Sequence, residues 1–81
     1  MIIHVKLFAI LREKAGTAEI RLEAPVGATV EKAVGLILEK RPELGAWMSA
    51  AAFAVNMARV DRLAVLKDGD ELALLPPVSG G

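Results

Sequence analysis

The chain has 81 residues, 54% of them hydrophobic and 25% charged, with ten basic and ten acidic side chains that cancel. That is one small globular domain with room for a single core. The interspersed charge leaves no basic field for nucleic acid or an anionic membrane, no apolar run approaches the roughly 20 residues of a membrane span, and with no cysteine there is neither a disulfide nor a thiolate.

The amino-terminal stretch MIIHVKLF lacks a charged leader followed by a long apolar run, so no signal peptide is expected and a cytoplasmic protein is the simplest reading. Within it Ile3, Val5 and Leu7 share one face and Ile2, His4, Lys6 and Phe8 the other, which is strand alternation. AILREKAG reads as a short helical turn closed at Gly16. TAEIRLEA alternates again, with Ala18, Ile20 and Leu22 expected inside and Thr17, Glu19, Arg21 and Glu23 outside. These first strands are expected to form an antiparallel pair with one wet face.

The period then changes. Val30, Ala33, Val34, Ile37 and Leu38 follow the spacing of a helix with one apolar stripe. Thr29 is its expected N-cap, Glu31 suits the first turn, Lys40 and Arg41 suit the last, and Pro42 stops it. Lys32 stands where a capping box would need an acid or amide. Gly35 in the helix interior costs about 1 kcal/mol relative to alanine, a cost that close packing against a neighbour would explain.

ELGAWMSAAA fits a short helix or a packed loop. FAVNMARV reads as a strand, a turn near Asn56–Ala58 and a returning strand. KDGDELALL turns at Asp68-Gly69 into a last strand, with Leu72 and Leu74 on one side and Glu71, Ala73 and Leu75 on the other. The order predicts an α+β domain, a small mixed β-sheet packed on one main helix. A β-grasp arrangement satisfies it, with the last strand central beside the first. Residues 1–75 form the domain and 76–81 are expected to be a flexible Gly-Gly tail.

The side-chain chemistry is sparse. His4 is read as a surface histidine, and Asp68 and Asp70 as turn residues rather than metal ligands. Trp47 and Phe53 are expected in the core. No metal site and no bound cofactor is expected. Phe8 and Leu75 are both out of phase with the core sides of their strands. Neighbouring strands would bring them together on the outer face, at the base of the tail, as an apolar binding surface. Arg12 is a solvated charge or a partner contact. The chain closes with Pro76, Pro77, Val78, Ser79, Gly80 and Gly81. The proline pair favours an extended spacer, and glycines without Cβ fit a channel too narrow for other residues. The Gly81 carboxylate is the one group that activation by ATP could turn into an acylating reagent.

FAILREKAG, the Val55-Asn56 pair, DGDELALLPPVSGG and the overall length together resemble the small subunits of molybdopterin synthase, which are ubiquitin-like β-grasp sulfur carriers. The likeness spans the chain in order and length, and PPVSGG is its most specific part. The resemblance implies that an activating enzyme uses ATP to adenylate Gly81 and that a sulfur donor system converts it to a thiocarboxylate. It implies a large synthase subunit as partner, in a heterotetramer, which draws in the tail. Sulfur would pass there to a cyclic pyranopterin monophosphate. The small subunit would not be catalytic alone. Many members carry paired aromatics before the prolines, where this chain has Leu74-Leu75. β-grasp carriers for thiamine synthesis or tRNA thiolation, and ubiquitin-like protein modifiers, share the Gly-Gly ending and stay open.

Overall fold

The structure is a computed structural model and describes residues 1–77. Among the described residues five strands form one sheet: β1 (Ile2–Leu7), β2 (Glu19–Glu23), β3 (Ala52–Val55), β4 (Ala58–Val60) and β5 (Glu71–Leu75), in the spatial order β2-β1-β5-β3-β4. Of the pairings between these strands only β1–β5 is parallel. First and last strands thus lie side by side at the centre, the β-grasp order that the sequence predicts.

Alternation in β1 works as its pattern demands: Ile3, Val5 and Leu7 are buried, while Ile2, His4 and Lys6 are only partly covered. Leu72 and Leu74 of β5 and Phe53 of β3 face the same core. Across that face lies α2 (Val30–Lys40), which buries Val30, Ala33, Val34 and Ile37. Leu36 and Leu38 flank the stripe, half-buried. The Thr29 hydroxyl accepts from the Lys32 amide at 3.2 Å, satisfying one of the first-turn N–H groups without a reciprocal box. Residues 64–66 run back against the start of this helix, where the Leu66 amide donates to Ala28 at 2.8 Å.

The short helix after β1 is as expected: α1 (Ala9–Ala15) is closed by a left-handed Gly16 whose N–H donates to the Arg12 carbonyl. Other local expectations are corrected. Ala18 is exposed, since it precedes the edge strand β2, and Ile20 is half-buried against the core. The ambiguous stretch is helical, a 3-10 turn at Pro42–Leu44 running into α3 (Gly45–Met48). Leu44 and Met48 anchor it, while Trp47 packs at the core margin, half-buried. Phe53 is buried as expected, with the Arg62 guanidinium 4.9 Å from its ring centroid. Close packing does not explain Gly35, since a Cβ there would meet nothing within 4 Å.

At the amino-terminal end of β5, side chains hold the strand in register. The Asn56 amide donates to Asp70 at 2.9 Å and its carbonyl accepts from the Glu71 N–H at 3.0 Å. The other Asp70 carboxylate oxygen accepts from the Lys67 amide, and Asp68 accepts from Ile2 at 2.7 Å. Both aspartates therefore serve the turn, as the sequence reading has it.

The open space at Gly35 leads us to expect that Gly35→Ala raises stability by about 0.5–1 kcal/mol, read as a higher Tm. Asn56→Ala removes both clamps on β5 and is expected to cost about 1–3 kcal/mol, read in denaturant unfolding.

Candidate functional site

The sheet has a core face and an outer face, and the pairing register fixes what shares each. One row crosses all five strands on the outer face: Glu19, Lys6, Ala73, Ala54 and Arg59. Glu19 and Lys6 pair at 3.1 Å, and His4 Nδ1 lies 3.9 Å from Glu19. His4 is a surface residue in that charged corner, as expected. Leu75 is opposite Ala52 on the same outer face. Ala54 is buried yet stands apart from the core cluster. The end of the outer face nearest Pro76 is thus floored by Ala52, Ala54 and Ala73, with charged side chains at its margins.

Phe8 and Leu75 complete this floor. The ladder sets Leu7 opposite Leu74, so the next residue of each strand leaves it at the same level. Leu75 is the last residue of β5 and is half-buried. Phe8 stands one residue past β1, extended at φ −124°, ψ 152°, as the N-cap of α1. The residue is 45% exposed, large for an aromatic residue that a core would otherwise take. Arg12 is exposed on α1, whose far end is held by the Arg41 guanidinium on the Ala15 carbonyl at 2.8 Å. The register thus puts Phe8 and Leu75 at the same level at one end of the sheet, and Arg12 is an exposed residue of the helix that starts there.

From that end the chain continues through Pro76, half-buried, and Pro77, exposed. Val78, Ser79, Gly80 and Gly81, and with them the expected flexibility of the tail, lie outside the described residues. Among the described residues no group of three or more metal-ligating side chains comes together, and no helix is long and apolar enough to cross a membrane. The sequence reading missed the alanine floor. Its signal was present in AFAV and ELALL, where alanine occupies outward positions that a polar residue would ordinarily fill.

The ThiS family model matches residues 5–81. A molybdopterin synthase sulfur carrier subunit from Chlamydomonas reinhardtii is 41% identical over 83 residues, covering 100% of both chains. The crystal structure of small archaeal modifier protein 1 from Haloferax volcanii superposes with a TM-score of 0.91 at 31% identity, covering 100% of both chains. A complex of subunits 1 and 2 of molybdopterin-converting factor from Helicobacter pylori gives a TM-score of 0.73 at 30% identity, again over 100% of both chains.

The two faces make opposite demands on stability. Leu7→Ala or Leu74→Ala, each removing a fully enclosed side chain, is expected to cost about 2–5 kcal/mol. Phe8→Ala and Leu75→Ala are expected to cost well under half of that, compared in the same urea titration.

Proposed function

The chain belongs to the ThiS family, and from that premise we propose that it is a sulfur carrier, the small subunit of a molybdopterin synthase. The observation that carries this reading is the end-to-end likeness to a molybdopterin synthase sulfur carrier subunit at 41% identity. The apolar floor at the base of the tail gives the reading its physical sense: the folded domain docks, and the tail delivers.

The chemistry is assigned to the carboxylate of Gly81, the last residue that the family model matches. A carboxylate is a poor electrophile. Attack of its oxygen on the α-phosphorus of ATP, in the active site of an activating enzyme, releases pyrophosphate and leaves an acyl-adenylate. A sulfur donor system then displaces AMP and leaves a thiocarboxylate. The large synthase subunit takes up the loaded tail, and sulfur passes to a cyclic pyranopterin monophosphate. The residues after Pro77 can span about 14 Å at full extension, so the acceptor must lie within that radius of Pro77. The chain supplies the tethered reagent and the docking face, and the partner supplies the catalytic site.

Docking is assigned to Phe8 and Leu75, with Arg12 at the rim. Fully burying an apolar side chain of this size contributes roughly 1.5–3 kcal/mol, and truncation at an interface centre commonly costs more than 1 kcal/mol. A second reading, a ubiquitin-like modifier joined to lysines of other proteins, is favoured by the TM-score of 0.91 to small archaeal modifier protein 1. Both readings use the same terminus and differ in the acceptor.

Incubation with an activating enzyme, ATP and a sulfur source should raise the intact mass by the difference between sulfur and oxygen. Deleting Gly81, or appending one residue after it, should abolish the shift. Loading of a lengthened chain would contradict the terminal-carboxylate mechanism, and recovery of the protein in isopeptide linkage would favour the modifier. Phe8→Ala combined with Leu75→Ala should weaken binding to the large subunit at least tenfold, while deletion of Gly80 and Gly81 should leave the Tm unchanged.

A further inference from the structure

Among the described residues three non-glycine positions have a positive φ: Ala9 at 50°, Asn56 at 50° and Met57 at 72°. Asn56 and Met57 form the two-residue turn between β3 and β4, and such hairpin turns require a left-handed pair. Ala9 is in no such hairpin: it is the second residue of the turn Phe8–Leu11, closed by the Leu11 N–H on the Phe8 carbonyl at 3.1 Å, a position that favours glycine. It is exposed, so its methyl group meets no packing demand. A left-handed alanine is strained where glycine would not be, and strain of this kind persists only where the surroundings over-determine the backbone.

The surroundings of Ala9 are fixed on both sides. Leu7 is locked in the ladder opposite Leu74, and Leu11 is fully buried in the core. Between them the chain must pass from strand to helix. Phe8 keeps the extended geometry of β1 and helix α1 begins at Ala9, so the reversal falls on Ala9. Phe8 belongs neither to the core cluster nor to the residues packed against it. If Ala9 relaxed to a negative φ with Leu7 and Leu11 still seated, the hydrogen bond from the Leu11 N–H to the Phe8 carbonyl would be lost and the compensating rotation would fall on Phe8 and Ile10, neither of which a core contact holds. The Phe8 ring would then leave the level of Leu75.

We propose that Ala9 is a positioning residue: its left-handed backbone holds Phe8 out on the docking face beside Leu75. This rests on the docking assignment made above and adds to it the element that aims the ring. It also makes the conformational preference at position 9, rather than side-chain size, the property on which docking depends.

The test is a titration of folded variants against the large synthase subunit, with melting curves alongside. Glycine and D-alanine both adopt the left-handed region without strain, and a chain of this length is accessible to chemical synthesis. Ala9→Gly and the protein with D-alanine at position 9 should dock within about twofold of the native chain. The D-alanine protein should melt at or above the native temperature. Ala9→Val, β-branched and poorly suited to a positive φ, should weaken docking at least tenfold. In a Phe8→Ala background the same valine substitution should have no further effect, because the two positions act as one in a double-mutant cycle. Equal weakening by valine in both backgrounds would overturn the proposal, as would native-like docking by folded Ala9→Val. A folded D-alanine protein that docks clearly more weakly than the native chain would overturn it even where the valine variant does not fold. An unaltered affinity of Phe8→Ala itself would remove the docking assignment and this proposal together, and so differs from the outcomes that remove the proposal alone.

Discussion

The rest of the molecule depends on the parallel pairing of β1 with β5. Val5 against Leu72 and Leu7 against Leu74 place four fully or nearly fully buried side chains at the middle of the sheet. Parallel strands cannot be joined by a hairpin, so everything between residues 8 and 70 is connection and covering for this one ladder. Helix α2 covers one face. The hairpin of β3 and β4 extends the sheet beyond β5, and β2 extends it beyond β1. Because the two central strands run in the same direction, the residue that opens α1 and the residue that precedes the prolines emerge at the same end. Tail exit and the proposed docking residues are neighbours as a consequence of topology, not of a separate binding element.

That arrangement separates stability from function by strand phase. On β5, Leu72 and Leu74 are enclosed while Ala73 and Leu75 look outward. An outer face paved with alanine is flat and leaves little side-chain entropy to lose when it is covered. In the proposed docking a partner approaches the backbone closely there, with Phe8 and Leu75 as the side chains large enough to contribute binding energy. The Asn56 and Asp70 clamp works at the opposite end of β5, where it holds the register that gives each residue its face. A one-residue slip would turn Leu75 inward and Leu74 outward.

Much of this was legible in the sequence because the physical signals were periodic. Alternation in β1 and β5 and the stripe of α2 each repeat over several residues, and PPVSGG with FAILREKAG supplied the family likeness. Features that rest on one residue or on distant partners were not legible. Ala18 alternates correctly with Leu22 but precedes the edge strand β2, and sequence phase carries no information about where a strand begins. Residues 42–48 are too short for a helical period to show, and Gly45 obscures what there is. Gly35 invited a packing explanation that only the empty space around it could dismiss. The left-handed Ala9 carries no sequence mark at all, since alanine is a good helix former and stands at the start of one. The alanine floor was visible as letters but acquires meaning only when β3 is known to lie against β5.

The central claim is that this chain brings sulfur to a pterin on its own terminus. It is tested most directly by following labelled sulfur in a single turnover. The chain, loaded at Gly81 with radioactive sulfur and freed of activating enzyme and donor, is mixed with the large synthase subunit and cyclic pyranopterin monophosphate. The account predicts that the label leaves the chain and appears in the pterin product, with the unlabelled carboxylate regenerated. Label that stays on the chain in the presence of both, or a chain that ends instead in linkage to a lysine, would contradict it.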